Sequence, residues 1–389
     1  MIKSKLLKRC CAFALCLCCL VATTACDALL AGTDGSQTSD EEQVLELTVS
    51  QFTTPVSLLH NEVISYLQAD DDVLVTEFLP GGNYRHDQGK PLTVSYELDN
   101  SFDVEEAKIE LAQDKDFAKI EQTCNFPFLS EKVDVYNLQP GAKYYYRVSV
   151  TMQDGTKMQG EGEVETQDSL SFVYLDGGSN VRDIGGWKTE SGKTVKKGIL
   201  YRGGEIDGGK NKNHPDFCLT EKGIQQLRSL GIKTDFDLRS ESVKVSKYSI
   251  LGEDVTRTFY NAAQYESILA AANAEKTRRI FSDLAKPEAY PVYLHCTHGV
   301  DRAGSTILIL EGLLGLSKAD LVRDYELSAF YYNYAHVNRN VNNGGNILSL
   351  IDGLDAYEGE SFADKVASFL LSIGVTQEEI DSIRTIFLD

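Results

Sequence analysis

The residues with the most chemistry to offer stand in one run: Val292-Tyr293-Leu294-His295-Cys296-Thr297-His298-Gly299-Val300-Asp301-Arg302-Ala303-Gly304-Ser305. An apolar stretch leads into a cysteine, an arginine follows six positions later, and an Ala-Gly-Ser helix start comes next. A five-residue loop between cysteine and arginine can curl into a ring with its backbone N–H groups pointing inward. The N-terminus of the following helix adds its dipole, which makes a cradle for a tetrahedral dianion. The same dipole and Arg302 stabilise a thiolate at Cys296, the candidate nucleophile. Arg302 can grip two phosphoryl oxygens and follow them into the transition state. Thr297, His298, Gly299, Val300, Ala303 and Gly304 complete the loop, with Gly299 relieving crowding where the chain turns inward. His295 is expected to hydrogen-bond the loop backbone and tune Cys296. Ser305 is expected to hydrogen-bond the sulfur and help it leave.

This run resembles the cysteine-dependent phosphatases, whose pattern is His-Cys-x-x-Gly-x-x-Arg. It is more closely similar to their bacterial tyrosine-phosphatase-like branch, whose other motifs follow in family order over about residues 171–335. They are Asn180-Val181-Arg182-Asp183-Ile184-Gly185-Gly186, Tyr201-Arg202-Gly203-Gly204, Asp237-Leu238-Arg239-Ser240 and Asp324-Tyr325-Glu326-Leu327-Ser328. The resemblance implies a phosphoric monoester hydrolase with a cysteinyl-phosphate intermediate, acting on phosphotyrosine or with dual specificity. It also implies that the loop aspartate, Asp301, is the general acid; Asp237 and Asp216 stand in reserve. Arg182 and Asp183 are expected to pair and brace the turn beside the loop. The branch often carries Ala-Gly-Lys-Asp-Arg in the loop; His298-Gly299-Val300-Asp301-Arg302 lacks that lysine. An inositol-polyphosphate or phosphoinositide phosphatase is the enzymatic rival, with Lys210, Lys212, Arg239, Lys244 and Arg339 as its scattered basic residues. A non-catalytic phosphate-binding module is the rival from another class. No cofactor is called for, and no His, Asp or Glu cluster has metal-ligand spacing.

The elements that must hold this loop alternate from Ser171 onward, as strands and helices do in an α/β domain. Thr220 opens a helix that runs through Ile224, Leu227 and Leu230 to Gly231. Ile232–Leu238 and Tyr290–His295 read as strands. Further helices are expected over Ala303–Leu314, Leu321–Tyr334 and Phe362–Ile373. Together, residues 168–389 make one domain with a central mixed sheet flanked by helices. Phe330, Tyr331, Tyr332 and Tyr334 form an aromatic helix face.

Residues 46–167 read instead as short alternating strands. The stretch Val133 to Val148, with Leu138-Gln139-Pro140-Gly141 leading into Lys143-Tyr144-Tyr145-Tyr146, resembles the strand–turn–strand corner of fibronectin type III modules. The resemblance implies an all-β, immunoglobulin-like sandwich in which a tyrosine hydroxyl ties back to the corner. Residues 46–84 are expected to add a first strand and an extra hairpin. This module reads as a spacer or as a binding unit for a protein or glycan.

The first 25 residues have the layout of an export signal: Lys3, Lys5, Lys8 and Arg9, then an apolar stretch from Cys10 to Ala22. Thr23-Thr24-Ala25-Cys26 resembles a bacterial lipoprotein signal, which implies lipidation of Cys26, and residues 26–45 read as a flexible tether. The protein is therefore expected to be exported and lipid-anchored on the outer face of the membrane. Loss of the signal takes the formal charge from −20 to −24, because the four basic residues leave with no acidic one. So acidic a chain is a poor partner for nucleic acid. Six of the nine cysteines lie within residues 1–26. Beyond Cys26 only Cys124, Cys218 and Cys296 remain, an odd set that cannot be a complete disulfide framework.

Overall fold

The computed structural model describes residues 44–81, 85–98, 103–126, 131–207, 219–240, 246–331, 336–342 and 344–389. The signal, Cys26, most of the tether, Lys210, Lys212, Asp216, Cys218, Lys244, Tyr332 and Tyr334 lie outside these residues.

Among the described residues, seven strands form the N-terminal β region: β1 (Val44–Glu46), β2 (Leu92–Ser95), β3 (Val104–Ala112), β4 (Ile120–Asn125), β5 (Lys132–Val135), β6 (Lys143–Met152) and β7 (Lys157–Glu165). Five of them make a sheet in the order β1-β7-β6-β3-β4, and β2 pairs antiparallel with β5. Period-two alternation explains their common core. Tyr144, Tyr146, Val148 and Val150 of β6 point the same way as they recur, and they join Leu92, Val94, Val133 and Val135 from the smaller sheet. The Tyr144 hydroxyl accepts the Gln139 N–H at 3.0 Å, across the Leu-Gln-Pro-Gly corner.

The second sheet is mixed. Its strands are β8 (Arg182–Asp183), β9 (Leu200–Gly203), β10 (Thr234–Asp237), β11 (Thr256–Phe259) and β12 (Val292–His295). They run in the order β11-β10-β12-β9-β8, four parallel with β8 antiparallel at one edge. Strand β12 is central, so its C-terminal end opens in the middle of the sheet's edge, where ligands of α/β sheets bind. Among the described residues the helices are α1 (Asn61–Leu67), α2 (Glu221–Ser229), α3 (Ala274–Leu284), α4 (Asp301–Leu314), α5 (Lys318–Glu326), α6 (Ile347–Asp355), α7 (Phe362–Ser372) and α8 (Gln377–Phe387). Every residue of α4 from Ala303 to Leu314 is buried. A helix buried on every side sits inside the core, and each of Ile307, Leu308, Ile309 and Leu310 contributes about 1.5–3 kcal/mol by leaving water. That burial fixes the helix whose N-terminus carries Asp301 and Arg302.

Two expectations are corrected. The stretch before β2 holds α1 and a short 3₁₀ turn, Val75–Glu77, and no hairpin among the described residues. Leu59, Val63, Tyr66 and Val75 belong to the same core as Ile307 and Phe330, not to the core of the β strands. The apolar residues of α1 recur three apart, at Val63 and Tyr66, so they follow a helical repeat. The helix expected over Leu321–Tyr334 is α-helical only to Glu326 and continues as a 3₁₀ turn, Leu327–Phe330. It ends there because Tyr331 enters a β-bridge with Arg85.

Candidate active site

Strand β12 delivers Cys296 to the centre of the sheet edge, and α4 begins five residues later. The loop between them is held by its carbonyls. The His295 ring contacts the Cys296 oxygen through Nδ1 at 3.3 Å. The Glu205 N–H donates to the Thr297 oxygen at 3.0 Å. The Asn180 amide donates to the His298 oxygen at 3.2 Å, and the Arg202 guanidinium to the Gly299 oxygen at 2.9 Å. The Gly304 N–H donates to the Val300 oxygen at 2.7 Å, and the Ser305 hydroxyl to the Asp301 oxygen at 2.6 Å. Six successive carbonyls are thus turned out into protein donors. Among the described residues, the amides of Thr297, Gly299, Val300, Asp301 and Arg302 make no hydrogen bond to a protein acceptor. With carbonyls outward, the amides face the interior of the curve, where Cys296 sits 3% exposed with a free thiol. That is the electrostatic preorganisation a dianion requires.

Gly299 is needed here on two counts. Its φ is +71°, in the left-handed region, and a Cβ would lie 2.4 Å from the Gly203 carbonyl carbon. Gly203 and Gly204 are tight in turn: a Cβ on either would meet the Tyr293 or Ser179 side-chain oxygen at 2.3 or 2.2 Å. Gly299→Ala is therefore expected to destabilise by about 1–2 kcal/mol from the backbone alone. It should also weaken inorganic phosphate binding, as thermal unfolding with and without phosphate would reveal.

Beneath the loop, His295 is fully buried, with Nε2 2.9 Å from Asp235 Oδ1. Burial opposes its protonation, but Asp237 and Asp235 outweigh it and raise the pKa above the usual histidine value. Arg239 meets Asp237 through Nε at 2.9 Å and Glu205 at 2.7 Å, and Arg257 meets Asp237 at 2.6 Å. Burial alone would raise the Asp237 pKa; His295 and the two arginines reverse that and hold it well below the usual carboxylate range. Asp237 therefore stays ionised at neutral pH and is removed as a reserve proton donor.

A second buried network ties three of the motifs together. Arg182 donates to Asp324 Oδ1 at 3.0 Å and to Asn180 Oδ1 at 2.8 Å, and Arg202 donates to Asp324 Oδ2. Asn180 Nδ2 donates to the Ser328 hydroxyl at 3.1 Å. Arg182 and Asp183 do not pair. They are neighbours on β8, and successive side chains of a strand point to opposite faces. Asp183 instead accepts the N–H groups of Gly185, at 2.8 Å, and Gly198. It is nearly inaccessible, and burial pushes its pKa up to about 6 although both N–H groups favour the ionised form.

Ser305 is also reassigned. Its hydroxyl donates to the Asp301 oxygen and accepts the Tyr265 N–H at 2.7 Å, so its proton is not available to the sulfur. Arg302 is half-buried and makes no hydrogen bond or ion pair among the described residues, in contrast to Arg182, Arg202, Arg239 and Arg257. Arg239 and Arg339, two of the basic residues assigned to an inositol-phosphate site, are both committed to internal carboxylates; Arg339 holds Glu326 at 2.7 Å.

Tyr265 has no signal in the sequence. It lies in a 3₁₀ turn with φ +51°, and its hydroxyl donates to Asp301 Oδ1 while meeting the Tyr325 hydroxyl at 3.0 Å. The contact anchors Oδ1, which makes Tyr265 a positioning residue for the Asp301 carboxyl. Tyr265→Phe is expected to slow alkyl phosphate hydrolysis on the order of tenfold more than p-nitrophenyl phosphate hydrolysis, a share of the usual general-acid contribution. p-Nitrophenolate leaves without much protonation, so comparing kcat for the two substrates separates this role from a loss of packing.

The sheet, the loop and the two networks define an α/β phosphatase architecture. The sequence model of the tyrosine phosphatase family matches residues 173–389, more than half of the chain, and the chain belongs to that family. It is 25% identical over 134 residues to a tyrosine-protein phosphatase of Nostoc commune, covering 29% of this chain and 46% of that protein. It is also 25% identical over 186 residues to a protein of Cupriavidus necator provisionally named as a tyrosine-protein phosphatase, covering 42% of this chain and 63% of that protein. The chain thus spans about half the length of the curated relatives it matches.

Proposed function

We propose that the chain hydrolyses phosphomonoesters through a cysteinyl-phosphate intermediate, with phosphotyrosine in proteins as the substrate class. The observation that carries this reading is the loop's outward carbonyls, together with a buried Cys296 thiol and an Arg302 that makes no ion pair among the described residues. Cys296 attacks phosphorus in line with the leaving oxygen. The amides and Arg302 hold the equatorial oxygens, whose charge grows in the transition state. Asp301 protonates the departing alcohol, and the S–P bond is then cleaved by water, with Asp301 as base. The commitment of Arg239 and Arg339 elsewhere favours phosphotyrosine over inositol polyphosphates.

The family's whole activity is carried here to an exported, lipid-anchored enzyme acting at the outer face of the membrane. The reading rests on the signal-like residues 1–25 and on Cys26. In it the N-terminal strands form a fibronectin-like unit, supported by the shared core of two sheets and the Tyr144 corner. That unit is a spacer or a docking module for protein or glycan. A panel of phosphotyrosyl and phosphoseryl peptides, inositol hexakisphosphate, phosphoinositides and sugar phosphates, run on the purified chain, tests the reading. Highest kcat/KM is expected for phosphotyrosyl peptide. Preference for the inositol phosphates would replace that substrate class, and phosphate binding without release would leave a binding module.

A further inference from the structure

Far from Cys296 in sequence, the segment before β2 assembles a second group with donor chemistry. His60 is the N-cap of α1, yet its side chain makes no capping hydrogen bond. Glu62 lies in the first turn of the same helix. His86, from the turn that follows the Arg85 bridge, stacks on His60 with ring centroids 3.9 Å apart and planes within 11°. His86 Nδ1 lies 3.3 Å from Glu62 Oε2. One donor atom from each of the three lies within 4.8 Å of the others, and all three residues are half-buried. The group is therefore enclosed and still reachable from solvent.

We propose that His60, Glu62 and His86 form a binding site for one divalent first-row transition cation, of which Zn²⁺ is the representative. Two imidazoles and a carboxylate suit such a cation, whereas Ca²⁺ and Mg²⁺ prefer oxygen ligands alone. Tetrahedral Zn²⁺ with three protein ligands keeps its fourth position for water. Metal–ligand distances of about 2.0–2.2 Å place tetrahedral donor atoms about 3.3–3.6 Å apart, a separation that His86 Nδ1 and Glu62 Oε2 already have. Stacked rings hold their in-plane lone pairs parallel. Binding therefore fans the two imidazoles apart, and their partial exposure leaves room for that rotation. Glu62 supplies a negative charge that opposes part of the field of Lys90 at His60.

The site's position gives it a consequence. Asp87, next to His86, accepts the Asn180 N–H at 2.7 Å, and the Asn180 side chain donates to the His298 oxygen of the loop. A metal that joins His86 to α1 clamps the segment that braces the loop. Its role is structural and separate from the thiol chemistry.

The full chain carrying Cys296→Ser, stripped of metal, is titrated with Zn²⁺ against a chromogenic chelator. That background removes the reactive thiol as a rival ligand. One equivalent should bind, with affinity lowered about tenfold or more by His60→Gln and by His86→Gln separately. Co²⁺ in place of Zn²⁺ should give visible ligand-field bands that both variants abolish. Circular dichroism and unfolding in chelator establish that the variants fold like the parent. Should either fail to fold, the same loss must appear in Glu62→Gln, which alters a partly exposed side chain. The proposal is overturned if no equivalent binds. It is equally overturned if binding and the Co²⁺ spectrum survive in the folded variants, as a simple His–Glu ion pair would require.

Discussion

Cys296→Ser is expected to lower kcat for p-nitrophenyl phosphate by a factor on the order of 10⁵–10⁶, the scale on which an enzyme loses its nucleophile. The substitution is nearly isosteric at a site only 3% exposed, so the loop should keep its shape. What disappears is the nucleophile: a serine oxygen in place of the sulfur is a far weaker attacking group. Inorganic phosphate should still bind, because the amides and Arg302 are unaltered, and calorimetry would record that. The paired outcome is the informative one. Binding retained with turnover lost assigns the sulfur to chemistry, whereas turnover retained would remove the cysteinyl-phosphate intermediate from the mechanism. Arg302→Lys supplies the companion measurement. A lysine keeps the charge and loses the fork, so kcat should fall on the order of 10²–10³-fold, the cost of one misplaced transition-state donor.

The largest effect on stability should come from Asp324→Ala. Its carboxylate is buried and faces two guanidiniums, Arg182 at 3.0 Å and Arg202. Removing one partner of a buried ion pair typically costs about 3–5 kcal/mol, because the cation is left without compensation. Here two cations are left. Glu311 lies in the same buried neighbourhood; burial and then Asp324 hold its pKa well above the usual value, while Arg202 and Arg182 pull it down. Without Asp324, Glu311 should ionise and recover part of the loss. Asp324→Ala combined with Glu311→Gln is thus expected to unfold at lower denaturant than Asp324→Ala alone. Denaturant titration at neutral pH reads both, and a double variant no less stable than the single one would show that Glu311 takes no part.

What the sequence disclosed depended on how local each signal was. The alternation in Lys143–Met152 is set by neighbours two apart, and that strand was legible almost residue for residue. The loop was legible because its strand, cysteine, glycine and arginine are contiguous. The motifs Asn180–Gly186, Tyr201–Gly204 and Asp324–Ser328 were legible as patterns, but their partnerships were not. Adjacency suggested Arg182 with Asp183, whereas strand geometry sends Arg182 to Asp324, far along the chain. Tyr265 could not be found at all. A lone tyrosine in a polar stretch shows neither its φ of +51° nor its hydrogen bond to Asp301. His60, Glu62 and His86 were hidden for a similar reason, since their proximity depends on where α1 docks. That docking was itself illegible, because α1 is only 7 residues long and its pattern is ambiguous with a strand.

The docking of α1 also bears on how such a chain can be rearranged. Tyr66 bonds Glu326, and Arg323 donates to the Ala69 oxygen at 2.7 Å, so a stretch that precedes most of the β strands completes the interior of the hydrolase. The front part therefore cannot be exchanged as a cassette. A shortened chain starting near residue 168 would expose the greasy face that Leu59, Val63 and Val75 now cover, and a workable fusion or crossover point must lie upstream of them.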